Sequence, residues 1–321
     1  MMAVPVYSPE EYFQKMLAVP RLCAKDVLAY YEHRVGGICT DAAYMLAPLD
    51  DHIVHRADGV FETVKYADGR LYQLDAHLDR MRRSCDAIFL APPCPWEFLR
   101  EIILAVSAAG KEADGLMRIL LGRGPGGFGI DPYECPEPSL YIVAYRYPPQ
   151  TEDWFAAGLK GFRTSIPPKH PALARIKITN YVSNMLMVRE AHVRGADTPF
   201  CFDDGNFLTE SAVANLCIVD DSGTLAVPDT PQALPGTMLR RALELLKGTI
   251  PIVFRRIAEE EIFTAREVLL FGTGPDCVAV TSYEGKPINV GVEGPVAKKA
   301  RTLIREDIRT TGVPVPGLMR E

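Results

Sequence analysis

Two hydrophobic rhythms alternate along the chain. Apolar residues spaced three and four apart predict helices, and short apolar runs bounded by turn signals predict strands, in both halves. Residues 10–31 read as helical with a break at Pro20. Residues 42–46, 59–66 and 71–74 are predicted strands, the last two forming a hairpin across Ala67-Asp68-Gly69-Arg70. Leu78, Met81, Cys85 and Ile88 share one face of a predicted helix over 76–89, and a helix over 97–109 follows the Pro92-Pro93 stop. Strands at 116–121 and 140–145 flank a glycine-rich loop.

Pro148-Pro149-Gln150-Thr151-Glu152-Asp153 is polar and proline-bearing, so residues 148–156 are the predicted linker between an N-terminal unit, 1–147, and a C-terminal unit, 157–321. Beyond it come a lysine-bearing strand-to-helix junction, a helix over 181–194 and strands at 200–202 and 214–219 around Asp203-Asp204-Gly205-Asn206. A helix over 237–247 follows. No sustained strand–helix alternation runs through either half, so the predicted class is two-domain α+β, with a cleft between the domains.

Composition narrows the function. A chain of 321 residues with 48% hydrophobic and 24% charged residues suits two globular cores. A net charge of -6, without a basic run, argues against nucleic acid and membrane surfaces as partners. The first eleven residues lack the basic-then-apolar order of a signal peptide and no apolar stretch is long enough to span a bilayer, so a cytoplasmic location is expected. Eight cysteines, scattered with no CxxC pair, read as free and mostly buried thiols. His52 and His55 form the only close histidine pair and have no partner at zinc-site spacing, so no metal is expected.

Gly124-Pro125-Gly126-Gly127-Phe128-Gly129 fits a dinucleotide-binding pattern. Pro132 and Pro136 then forbid the helix that would receive a pyrophosphate, which leaves a flexible loop beside the cleft.

Four segments of the second half carry candidate chemistry. Arg175-Ile176-Lys177-Ile178-Thr179-Asn180-Tyr181 offers an amine, and Leu208-Thr209-Glu210-Ser211 puts an acid before an apolar strand. Leu234-Pro235-Gly236-Thr237-Met238 leads into a helix whose first amides can take a phosphate, and Phe271-Gly272-Thr273-Gly274-Pro275 is a turn with a hydroxyl and amides. Alone, these are equally a solvated lysine, a turn carboxylate, a helix cap and a turn.

In order, together with residues 48–63 and the segment His77-Leu78-Asp79-Arg80, they resemble the pyridoxal-phosphate enzymes of fold type IV. That family includes D-amino-acid and branched-chain aminotransferases and aminodeoxychorismate lyases. The resemblance covers all but about the first forty residues and the tail.

It implies pyridoxal 5'-phosphate as cofactor, amino acid and 2-oxo acid as substrates, ping-pong amino transfer and a homodimer with its active site near the subunit interface. By the same resemblance Lys177 is the Schiff-base lysine, Glu210 the partner of the pyridine nitrogen and Arg80 a phosphate ligand. Gly236, Thr237 and Met238 form the phosphate cup, Leu234 lies against the ring, Thr273 is a second phosphate ligand and Tyr181 lies near the ring hydroxyl. Phe61, Arg118, Gly274 and Pro275 fall on the substrate side.

Some positions depart from the family. The cup hydroxyl, Thr237, comes one position early. The Arg-x-His trap of bacterial D-amino-acid enzymes is missing near Phe128-Gly129-Ile130, and the branched-chain Tyr-x-Arg survives only as Arg118. Asn180 follows Lys177 by three residues, the D-type and lyase spacing. Phe61-Glu62-Thr63 favours a transaminase over the lyase pattern Phe-Thr-Thr. Lyase activity remains the alternative, and a catalytically idle cofactor-binding or interaction protein the remote one.

Overall fold

The computed structural model describes residues 4–318, so the outermost ends of the two predicted units, 1–3 and 319–321, lie outside the described residues. The first helix, α1 (Pro9–Ala18), is fixed at its start by a reciprocal cap between Ser8 and Glu11. The helix predicted over 10–31 ends there. Val27–Glu32 is a strand, β1, between its sheet neighbours, with five of six residues buried. A strand covered on both faces has no two-residue alternation to betray it. β2 (Gly37–Cys39) pairs with it.

The strand predicted at 42–46 is instead a single 3-10 turn, Ala42–Tyr44, because the Asp41 carboxylate accepts the Ala43 N–H and offers the backbone a turn. α2 (His52–His55), β3 (Gly59–Ala67), β4 (Arg70–Leu71), α3 (Leu74–Ala87), α4 (Trp96–Ala109), β5 (Gly115–Gly122) and β6 (Ser139–Tyr145) follow. Asp68 and Gly69, at φ 52° and 71°, make the two-residue hairpin turn. The second hairpin strand is shorter than predicted, and Leu74 already belongs to the helix. Strand order in this sheet is β4-β3-β5-β6-β1-β2, and Val64, Met81, Ile103, Met117 and Ile142 pack between it and the helices with no exposed surface.

α5 (Glu152–Ala157), capped by Thr151, begins inside the predicted linker. The second half continues through β7 (Leu159–Arg163), α6 (Pro171–Ala174), α7 (Val182–Arg194), β8 (Thr198–Phe200), β9 (Asn215–Val219), β10 (Leu225–Pro228), α8 (Thr237–Leu246), β11 (Ile252–Arg255) and α9 (Glu259–Thr264). β12 (Glu267–Gly272), β13 (Asp276–Tyr283), β14 (Lys286–Pro287), α10 (Pro295–Thr311) and β15 (Val313–Pro314) complete it. β8 lies two residues ahead of the strand predicted at 200–202.

The second sheet is mixed, in the order β11-β10-β9-β12-β13-β7-β8. α8 and α10 cover one face through Met238, Ala242 and Ile304, and a second core with Phe200, Leu216 and Val268 forms on the other. β15 returns to the first sheet, pairing Val313 with Leu71, so the end of the chain crosses from one domain to the other. The architecture is two-domain α+β.

Candidate active site

β4 pairs with β3 at Tyr66 and Ala67, near the end of β3, which leaves the start of β3 with a free edge. Lys177 is held there. The Phe61 N–H donates to the Lys177 carbonyl at 2.9 Å, the Thr179 N–H donates to the Gly59 carbonyl at 2.9 Å, and Ile178 bridges to Val60. The Ser84 hydroxyl on α3 accepts the Lys177 N–H at 3.2 Å. The lysine therefore follows the short α6 and precedes a single bridge at Ile178, rather than closing the predicted strand, and a second-half residue is clamped to the first sheet.

Its Nζ lies 3.4 Å from the Tyr181 hydroxyl and 4.5 Å from the centre of the Phe61 ring. Burial, with the Arg80 cation next, lowers the amine to about 8. Burial conversely raises the Tyr181 phenol. Phe61 and Tyr181 meet edge to face at 4.9 Å.

Nine of the residues named above line one inner hollow: Arg80, Lys177, Tyr181, Glu210, Leu234, Gly236, Thr237, Met238 and Thr273. Glu210 enters from the turn before β9, and one oxygen accepts the Leu234 N–H at 2.9 Å. It makes no ion pair among the described residues, and burial raises it to about 7. Asn215 Nδ2 donates to the Leu234 carbonyl at 2.8 Å and braces the loop before α8. A Cβ on Gly236 would sit 1.9 Å from Asn215 Oδ1, so glycine is what lets the loop pass. Gly236 is the N-cap of α8 and supplies no side-chain cap, so the first amides of this ten-residue helix are left as donors.

Arg80 sits on α3 across from that helix start. Its Nε and Nη2 donate to Glu62 on β3 at 2.7 and 2.8 Å, and its Nη1 donates to the Pro235 carbonyl at 3.2 Å. His77 Nδ1 lies 2.7 Å from Glu62, and its Nε2 lies 3.1 Å from the Thr237 hydroxyl. Burial would raise Glu62, but Arg80 and His77 outweigh it and hold the carboxyl at about 2. Burial lowers His77, against the pull of Glu62.

A wider cavity of about 640 Å³ adjoins the inner hollow, with Lys177 and Tyr181 lining both. The other four expected residues, Phe61, Arg118, Gly274 and Pro275, line this outer part. Arg118 stacks 5.1 Å from the Phe61 ring centre and donates from Nη2 to the Tyr145 hydroxyl at 3.3 Å, while its buried Nε has no partner. The glycine-rich loop is tied down by a 2.8 Å contact from His52 Nε2 to the Gly127 carbonyl and by the Arg56 Nε donating to the Gly129 carbonyl at 2.9 Å.

Four residues gained no role from the sequence: Glu62, His77, Asn215 and Lys169. Lys169 lines the inner hollow with its Nζ 4.2 Å from the Tyr181 ring centre; burial lowers its pKa against the attraction of Glu210. An acid within an apolar strand, followed by His-x-x-Arg on one helix face, is the signal that could have found Glu62 and His77. Nothing local marks Lys169.

The donor set fits pyridoxal phosphate. Uncapped amides and a guanidinium suit its phosphate, an unpaired buried carboxylate suits a protonated ring nitrogen, and a lysine of lowered pKa suits its carbonyl.

Residues 59–283 match the family model described as Amino-transferase class IV. The chain is 33% identical over 317 residues to the chloroplastic D-amino-acid transaminase of Arabidopsis thaliana, covering 96% of this chain and 83% of that one. The branched-chain amino acid aminotransferase of Escherichia coli aligns with a TM-score of 0.78 at 22% identity, over 89% of this chain and 94% of that one. The 4-amino-4-deoxychorismate lyase of Pseudomonas aeruginosa aligns with a TM-score of 0.72 at 26% identity, over 82% of this chain and 96% of that one. No helix among the described residues is long and apolar enough to cross a membrane. With a family match over most of its length and a hollow chemically suited to the cofactor, this chain belongs to the class IV aminotransferases, enzymes dependent on pyridoxal phosphate.

Proposed function

We propose that the enzyme moves the amino group of a D-amino acid to a 2-oxo acid, with Lys177 as the catalytic amine. The observation that carries this reading is the meeting of Lys177, Glu210 and Arg80 around one hollow, from positions far apart in sequence. The D configuration is favoured by the Arabidopsis relative and by the three-residue spacing from Lys177 to Asn180.

Pyridoxal phosphate, when bound, supplies a carbonyl for the amino group and a ring that accepts electrons. Arg80, Thr273 and the first amides of α8, at Gly236, Thr237 and Met238, would hold the phosphate, and Leu234 would pack against the ring. Glu210 holds a proton at the ring nitrogen, where a cation offsets the burial of its carboxylate. Tyr181 would hold the ring hydroxyl and, at 3.4 Å, keeps Lys177 Nζ in place. Lys177, whose lowered pKa leaves a useful neutral fraction near pH 7, would hold the coenzyme at its carbonyl and supply the amine that takes the proton from the substrate Cα. Phe61, Gly274 and Pro275 shape the substrate side, and Arg118, a cation lining the same cavity, binds a substrate carboxylate. Both half-reactions use this one site, so the kinetics are ping-pong.

Exposed Phe128, Ile130 and Tyr133 on the glycine-rich loop and the turn after it support a homodimer in which a second copy covers this apolar surface near the cleft.

Mixing the holoenzyme with a panel of D- and L-amino acids, followed by absorbance and by 2-oxo acid release, tests the proposal. Spectral change with D-amino acids, and turnover only when a 2-oxo acid acceptor is present, is the expected result. Reaction with L-amino acids alone overturns the stereochemical part. The likeness to the Pseudomonas enzyme supports lyase chemistry as the second reading. Pyruvate and aminobenzoate released from aminodeoxychorismate without an acceptor would establish it in place of amino transfer.

A further inference from the structure

Glu62 has no exposed surface and lies on β3, yet its two oxygens receive three hydrogen bonds from α3. A guanidinium has five N–H donors in a rigid plane. In Arg80, Nε and one Nη2 hydrogen go sideways to Glu62, and one Nη1 hydrogen goes to the Pro235 carbonyl. Two donors remain, one on each terminal nitrogen. Two such donors can reach two oxygens of one phosphate.

The ionised Glu62 also dictates the tautomer of His77. Nδ1 carries the proton toward Glu62, so Nε2 is an acceptor and takes the Thr237 hydroxyl hydrogen. The hydroxyl that arrives one position early in the cup is thereby committed to His77, and it ties the first residue of α8 to α3 across the two domains.

We propose that Glu62 and His77 are positioning residues for the coenzyme phosphate: Glu62 aims the two remaining donors of Arg80 into the hollow, and His77 fixes Thr237 so that its amide, not its hydroxyl, faces the phosphate. This rests on the reading of the inner hollow as the phosphate site. Neither residue lines the hollow. Both act by occupying the donors that would otherwise turn elsewhere, while Asn215 braces the loop just before the helix by donating to the Leu234 carbonyl.

The test is a comparison of two ligands, pyridoxal 5'-phosphate and pyridoxal, titrated into the full chain freed of coenzyme. The ratio of their dissociation constants isolates the phosphate from the ring and the Lys177 linkage. Glu62→Gln keeps the shape but loses the charge that orients Arg80, and is expected to lower the preference for the phosphorylated ligand by about 10- to 100-fold while leaving pyridoxal affinity unchanged. Glu62→Asp keeps the charge and shortens its reach, and serves if the glutamine variant fails to fold; its preference is expected to fall by about 10-fold. An unchanged ratio in a folded variant overturns the proposal, and so does an equal loss for both ligands, which marks a merely structural role. Arg80→Lys separates the two levels. If wild type prefers the phosphorylated ligand and Arg80→Lys loses that preference while both Glu62 variants keep it, the site stands and the positioning role falls. If wild type has no preference at all, the phosphate site itself is refuted.

Discussion

Replacing Lys177 by methionine is expected to stabilise the coenzyme-free protein at neutral pH while abolishing coenzyme attachment. Methionine keeps the length of the side chain and removes the amine. The folded protein holds that amine at about 8, against an ordinary lysine value of 10.5, because burial and the Arg80 cation disfavour its charge. Below pH 8 the amine is protonated in both folded and unfolded chains, and the folded state bears the whole cost of the charge. The fall from 10.5 to about 8 corresponds to about 3 kcal/mol, a ceiling because the side chain faces a cavity. Between pH 8 and 10.5 the folded amine is neutral while the unfolded one still binds a proton, so wild-type stability recovers with rising pH. The advantage of Lys177→Met therefore shrinks across that window and disappears above it. Urea denaturation of both coenzyme-free proteins at pH 7, 9 and 10.5 reads the difference directly. No gain at pH 7, or a gain that is the same at every pH, would refute the reasoning.

Glu210→Gln is expected to retain the coenzyme through Lys177 and the phosphate contacts but to lower kcat by roughly 10²- to 10⁴-fold, since no carboxylate then holds the proton on the ring nitrogen; stopped-flow half-reactions measure it. Gly236→Ala drives a Cβ to within 1.9 Å of Asn215 Oδ1, and is expected to cost about 1–3 kcal/mol in a denaturation experiment and to weaken coenzyme binding. Partial recovery in the double variant with Asn215→Ala identifies the clash as the cause. Arg118→Gln is expected to raise KM for the amino acid and the 2-oxo acid alike by about 10-fold, with kcat less affected; a fall in kcat at constant KM would move Arg118 away from carboxylate binding.

The elements legible in the sequence are those with one buried face. The helix that carries Arg80 and the helix that begins at Thr237 lie within two residues of their expected bounds, and the hairpin turns at Asp68 and Gly69 as expected. β1 was illegible because both of its faces are covered, so its run of Val27 to Tyr31 reads as easily into the preceding helix. The segment at Ala42 looked like a strand from its apolar content, but the Asp41 side chain closes a turn there. Individual site residues were legible as isolated signals whose order resembled a family. Their support was not: the free edge of β3 that receives Lys177, the Glu62 link to α3 and the approach of Lys169 to Tyr181 all join residues distant in sequence. Such contacts follow from tertiary packing, and no local period encodes them.

The central claim is that one particular amine carries the coenzyme. Two lysines of lowered pKa share the inner hollow, Lys177 and Lys169, which makes the assignment open to a direct choice. Reducing the holoenzyme with borohydride freezes the linkage, and mass mapping of its peptides locates the pyridoxyl label. The label is expected on Lys177. A label on Lys169, or on any other lysine, would contradict the account.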